Sequence, residues 1–173
     1  MVTSPTIRKW FAGMLSSITP YTLRSNMPEV IAKGVYLSTP CVYEDDNTNK
    51  LTKVHTLLAT DAANTNIAGF AVFHEQVIFT EDETTGLLKY TDNDIVTLLT
   101  IGDIAVKTEV PVKPGDDVYF RHTSDGGSNT IINMYTNVAG TGVVPIVGAK
   151  FVERTEAAGI TLINVAATAH IGT

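Results

Sequence analysis

The segment DIVTLLTIGDIAVKTEVPVKPGDDVYFRH, residues 94–122, decides the fold class of this chain. Short apolar and β-branched runs at 95–99 and 104–106 stand on either side of residues 101–103, Ile-Gly-Asp. Such runs bounded by turn residues are typical of β-strands. Because a Gly-Asp pair permits a tight reversal, the pattern predicts two short strands joined by a turn.

The second half of the segment contains a stronger turn signal. Residues 113–116, Lys-Pro-Gly-Asp, combine a proline that presets φ with a glycine that tolerates positive φ. After this turn, Val118 and Phe120 alternate with Tyr119 and Arg121, so each pair is expected to share one face of a strand. Strand, turn and strand in this order predict a small, closed sheet.

The rest of the chain repeats this pattern of short strands and turns. Further strands are predicted at 35–37, 41–43, 51–58, 67–73 with a continuation at 77–79, 130–135, 143–152 and 160–165. Residues 45–49, 81–91 and 123–129 are interpreted as a hairpin turn, a solvent loop and a flexible turn, and residues 166–173 as a loose tail. Pro145 indicates an edge strand or a bulge. We therefore expect an all-β domain, a small β-barrel or sandwich of short strands.

We expect an extended N-terminal arm over residues 1–34, followed by a β-barrel domain over residues 35–173. The i, i+4 spacing of its apolar side chains predicts a short helix over 6–16, and a proline at the start with a glycine at the end predicts helical turns over 28–34. The arm is too apolar for a free tail and too rich in prolines for a barrel core. It packs either on its own barrel or on a partner.

Composition limits the function. At 173 residues the chain suits one domain, no stretch approaches the ~20 apolar residues of a membrane span, and the N-terminus does not have the layout of a signal peptide. The single cysteine, Cys41, forms no intrachain disulfide. A net charge of −6 argues against a nucleic-acid partner, since phosphate neutralisation requires clustered lysine and arginine. The basic residues of 1–40 contrast with an acidic remainder, which would suit docking on an acidic protein surface or reflect ordinary surface charge.

No catalytic or cofactor motif is visible. The four histidines are not at metal-ligand spacing, and residues 45–49 lack the glycine and the final acid of a calcium loop. Residues 122–125, His-Thr-Ser-Asp, contain the residue types of a hydrolase triad, but neighbours in one turn cannot adopt its geometry. We therefore expect no catalytic residue, no metal, no cofactor and no enzymatic activity.

The order of several short pieces resembles a known family. The run 110–121, VPVKPGDDVYFR, preceded by 99–106, LTIGDIAV, is similar to the central segment of the structural cement, or capsid decoration, proteins of tailed bacteriophages. The pieces AGML, IAGFAV and GAKF, at 12–15, 67–72 and 148–151, are similar to the same family and follow in its order. The regions around 81–91 and after His122 match this pattern less well.

The resemblance implies a non-enzymatic virion protein, made in the host cytoplasm, that binds the outer capsid surface and bridges major capsid protein subunits. It also implies a homodimer or homotrimer, and no nucleic-acid or membrane partner. Because aromatic and methionine side chains dominate interface energies, the expected contact residues are Trp10, Phe11, Met14 and Leu15. Two alternatives stay open: a surface-displayed adhesion module that binds host glycans through its loops, and an enzyme on a β-barrel.

Overall fold

The computed structural model describes residues 12–14, 22–24, 30–32, 34–43, 52–61, 67–73, 77–83, 85–127 and 131–172. These residues form strands and one 3-10 turn, η1 (Ala59–Asp61), without an α-helix. The strands are β1 (Thr22–Arg24), β2 (Val30–Ala32), β3 (Pro40–Tyr43), β4 (Thr52–Thr56), β5 (Gly69–Ala71), β6 (Phe79–Glu81), β7 (Leu88–Tyr90), β8 (Leu98–Thr108), β9 (Asp117–Arg121), β10 (Met134–Thr136), β11 (Val143–Phe151) and β12 (Gly159–Ile171). Within the described ranges, no helix has the length and apolarity that a membrane crossing needs.

Strand β8 connects the two halves of the sheet. Its first residues pair with β1 and β5, whereas Gly102 to Thr108 pair with β12. The predicted reversal at 101–103 is therefore wrong, because the chain continues through Gly102 as one strand. Gly102 has a φ of 126°, which glycine adopts without steric cost, and the strand changes its partners at this residue.

The two halves of the sheet differ in whether their strands form a closed circuit. The first follows the order β10-β9-β11-β12-β8, and an additional parallel pairing of Tyr135 in β10 with Thr108 in β8 closes these five strands into a circuit. The second half continues from β8 through β5, β3 and β4 to β2. The predicted all-β class, a small barrel or sandwich of short strands, is confirmed. The predicted boundary between residues 34 and 35 stays a prediction.

The core lies on the inner faces of both halves. Val118 and Phe120 are buried there, as their alternation predicts, and the ring of Phe120 lies 5.2 Å from that of Tyr135. The Tyr135 hydroxyl donates a hydrogen bond to the Ser38 carbonyl, which lies before β3. A barrel strand is thereby tied to the second half of the sheet at a point closed to water.

One predicted turn and one predicted strand pairing are confirmed. The Asp116 N–H donates to the Lys113 carbonyl at 3.1 Å, and Gly115 has a φ of 88°. The side chain of Asn137 and the Lys113 N–H donate to the Asp116 carboxylate and lower its pKa. Strands β3 and β4 form the predicted antiparallel hairpin.

Three other predictions are wrong in part. Val30–Ala32 is a strand parallel to β4 where helical turns were expected, because a tertiary partner overrides weak local helix signals. The predicted helix over 6–16 does not run through Gly13, whose φ is 85°. The expected loose tail belongs to β12, in which Ile171 is buried opposite Ile146.

Two further segments differ from expectation. The predicted solvent loop over 81–91 is largely the β6–β7 hairpin, and it buries Thr85, Leu87 and Tyr90. Pro145 does not mark an edge, since β11 lies between β9 and β12. The predicted bulge is confirmed, because the β11 register shifts against both neighbours between residues 145 and 150.

Candidate functional site

The start of the described chain is held to the barrel by backbone hydrogen bonds. The Gly13 N–H donates to the Ala105 carbonyl at 2.8 Å, and the Ala105 N–H donates to the Met14 carbonyl at 2.8 Å. The Gly13 carbonyl accepts from the Phe73 N–H at 2.9 Å. Gly13 has a φ of 85°, and a Cβ on it would lie 3.1 Å from the Leu37 Cβ, so both the backbone conformation and the close approach favour glycine. We call residues 12–14 the arm anchor.

The arm anchor locates one of the four predicted contact residues. Met14 is half-buried, and its carbonyl is bound to β8. Trp10, Phe11 and Leu15 lie outside the described residues, so the prediction that these four side chains bind a partner stays a prediction. The pairing with Ala105 nevertheless fixes where the arm meets its own barrel.

An apolar surface lies beside the arm anchor. The rings of Phe73 and Phe79 stack with centroids 5.2 Å apart, and Phe79 meets the buried ring of Tyr90 edge-on at 4.8 Å. Next to Phe79, Ile78 is 80% exposed. We call Phe73 and Phe79 the hairpin surface, and Ile78 is exposed on the other face of the same strand segment. The sequence signal for it was weak, because residues 77–79 were interpreted as the continuation of a buried strand.

Hydrogen bonds join the β6–β7 hairpin to residues 35–37. The Leu37 N–H donates to the Leu88 carbonyl at 2.8 Å, and the Tyr90 N–H donates to the Val35 carbonyl at 2.9 Å. The Tyr36 hydroxyl donates to the Asp82 carboxylate at 2.8 Å, and burial together with this carboxylate raises the pKa of Tyr36 to about 12. The hairpin surface is therefore held in a fixed orientation on the body.

A concave surface lies at the end of the barrel. This barrel-end groove has a volume of about 550 Å³, and its lining includes Glu109, Arg121, Asp125 and Val138. The alternation predicts Arg121 on the same face as the half-exposed Tyr119. Arg121 is nevertheless buried, because the Glu109 carboxylate neutralises its charge. Arg121 Nε lies 2.7 Å from Glu109 Oε2, and Nη2 lies 2.7 Å from Oε1. These bonds raise the pKa of Arg121.

The chemistry of the groove is that of a structural ion pair. Both carboxylate oxygens of Glu109 accept from Arg121, so the carboxylate is not placed to exchange a proton with a substrate. His122 does not line this groove, and burial lowers its pKa. Among the described residues, no three His, Cys, Asp or Glu side chains lie where they could hold a metal ion together. His74 lies outside these residues.

Two comparisons with known proteins found a match, one with a protein family and one with a solved structure. The family model described as structural cement protein (E217 gp24/Pam3 gp6) matches residues 3–166. Among solved structures, a chain from the capsid of Myoviridae phage XM1 is similar to this one with a TM-score of 0.57 and 19% identity. The similarity covers 95% of this chain and 97% of that chain, and at this identity it shows a shared fold. No curated protein matches the chain.

Proposed function

Because this chain belongs to the structural cement protein family of phages, and therefore to the virion capsid, we propose that it binds the outer capsid surface and bridges neighbouring major capsid protein subunits. The family match over residues 3–166 is the observation that carries this proposal. It includes the arm, the arm anchor and nearly all of the β-domain. A non-enzymatic role agrees with the family and with a groove in which Glu109 and Arg121 are paired to each other.

The proposed mechanism is mechanical. Each copy would bury apolar area and add hydrogen bonds across a seam between capsid subunits, and many such contacts repeated over a lattice act together. The proposed contacts of the arm are Trp10, Phe11, Met14 and Leu15. The arm anchor supports this role, since residues 12–14 are bound to β8 and a partner held by the flanking side chains would be tied to a fixed body.

Self-association belongs to the same proposal. A homodimer or homotrimer would place several arms on one lattice point and multiply weak contacts. The net charge of −6 is consistent with a protein partner rather than nucleic acid. Synthesis in the host cytoplasm, before addition to the shell, is part of the proposal. Binding to host glycans stays the alternative, and adhesion of the shell-free protein to host cells would favour it.

A truncation tests the arm without damaging the body. The variant should begin at Ala12, because residues 13–14 are bound to β8 and Thr22–Arg24 form β1. We expect the truncated protein to keep its melting temperature but to lose most of its co-sedimentation with empty capsids. The control is Val138→Ser, which changes an exposed apolar residue in the barrel-end groove. A folded truncation that binds capsids as well as the full chain would refute the role of residues 1–11, and with it the proposed contacts of Trp10 and Phe11.

A further inference from the structure

One side of the β6–β7 hairpin has no neighbouring strand in the described part of the chain. Strands β6 and β7 form a two-stranded sheet, and β7 is connected on its far side to residues 35–37. Among the described residues, the other side of β6 is therefore an edge, and an edge strand presents a row of backbone N–H and C=O groups that can pair with another chain.

The register shows which groups face outward. Thr80 lies opposite Lys89, and the Asp82 N–H donates to the Leu87 carbonyl at 2.9 Å, so Thr80 and Asp82 direct their backbone groups toward β7. Because hydrogen-bonded pairs alternate along an antiparallel ladder, Phe79 and Glu81 direct theirs away from it. On β7, Leu88 and Tyr90 follow the same alternation, since their backbone groups face away from β6 and bond to Leu37 and Val35.

The side chains along this edge indicate what kind of strand fits. Phe79 packs into the hairpin surface, whereas Ile78 and Thr80 are exposed on the opposite face. Glu81 and Glu83 are both exposed at the end of the strand. Opposite charges across neighbouring strands stabilise a sheet and like charges destabilise it, so an added strand should carry a basic residue near Glu81.

We propose that β6 accepts an extended strand of the major capsid protein through the outward backbone groups of Phe79 and Glu81, with an apolar residue beside Ile78 and a basic residue beside Glu81. This inference rests on the proposed function, since it names the place and the chemistry of a capsid contact. A second copy of this chain is a poorer occupant, because pairing two β6 edges would bring the Glu81 and Glu83 carboxylates of both copies into one sheet.

Hydrogen exchange on decorated particles tests this pairing. The amides in the peptide 77–83 should exchange more slowly when the protein is bound to capsids than when it is free. Capsid binding without added protection of this peptide would overturn the inference and leave the cement function intact. Failure of the protein to bind capsids at all would instead overturn the proposed function. Equal protection in concentrated protein without capsids would show self-pairing and contradict the proposal.

Two substitutions at Glu81 separate the contribution of its backbone N–H to capsid binding from that of its carboxylate charge. Glu81→Ala removes the charge but keeps the outward N–H, whereas Glu81→Pro removes both. Proline is tolerated at an edge position whose N–H faces solvent, so the hairpin should persist. Loss of one inter-strand hydrogen bond should weaken capsid binding of Glu81→Pro about three- to tenfold relative to Glu81→Ala. If Glu81→Pro and Glu81→Ala bind capsids equally well and both keep the melting temperature of the parent protein, the backbone pairing is refuted.

Discussion

Replacing Glu109 by glutamine should destabilise the protein strongly, although the substitution barely changes the size of the side chain. The carboxylate accepts two hydrogen bonds from Arg121, each 2.7 Å long, and the two side chains are only 9% and 5% exposed. The amide keeps one acceptor oxygen but places its NH2 group against the other N–H of a guanidinium that only donates. The result is a buried cation that has lost its hydrogen-bonded counter-charge and keeps only the weaker attraction of Asp125.

The magnitude follows from the geometry. Breaking a buried ion pair by removing one partner costs about 3–5 kcal/mol. We expect the lower end, about 3 kcal/mol, because Arg121 Nη1 still donates to the Thr141 carbonyl at 3.1 Å and the groove admits water. For a chain of this length, that loss corresponds to a fall of about 6–12 °C in the melting temperature.

The assay is thermal and urea unfolding of the variant beside a matched control. Glu156→Gln makes the same chemical change in the pair of Arg154 and Glu156, whose side chains are 61% and 79% exposed. An exposed pair contributes little, so the control should stay within about 0.5 kcal/mol of the parent protein. A Glu109→Gln variant no less stable than Glu156→Gln would refute the reasoning. The double variant Glu109→Leu/Arg121→Met should recover most of the loss, because no unpaired charge remains.

Three further predictions concern single positions. Gly69→Ala should cost at least about 2 kcal/mol in urea unfolding, since its Cβ would lie 2.8 Å from the Leu99 carbonyl oxygen, whereas Gly34→Ala, with no atom within 4 Å, should cost about 1 kcal/mol from its positive φ alone. Burial lowers the pKa of His122, so the unfolded chain binds its proton first as the pH falls. The parent protein should therefore lose stability below about pH 6.5, and His122→Gln should lose less over the same range; identical pH profiles would contradict this. Burial raises the pKa of Cys41 to about 12, so a thiol reagent at pH 8 should label it only after unfolding, and labelling of the native protein would contradict its placement.

The features that the sequence predicted correctly are those with local causes. The turn at 113–116 depends on a proline and a glycine next to each other, and the inward direction of Val118 and Phe120 depends on the period of a strand. The β3–β4 hairpin likewise follows from a polar turn between two apolar runs. Such signals act within a few residues and do not depend on the rest of the chain.

The features that the sequence missed have distant causes. A glycine such as Gly102 permits either a reversal or a continuous strand that changes its partners, and the choice is made by β5, β1 and β12. The burial of Arg121 depends on Glu109, which lies twelve residues earlier in the chain and is brought next to it by the turn between β8 and β9. The hairpin surface arises because Phe73 and Phe79 stack on each other. No local sequence pattern predicted the β6–β7 pairing that places Phe79 there. The arm residues, in contrast, stood out in the sequence through their composition alone.

The most direct test of the central claim is binding to empty capsids assembled from the major capsid protein, followed by heating of the decorated and the bare shells. A structural cement protein should bind in a saturable ratio set by the lattice, appear on the outer surface in electron cryomicroscopy, and raise the temperature at which the shells break. Saturable binding with no change in that temperature, or no density on the exterior, would contradict the account.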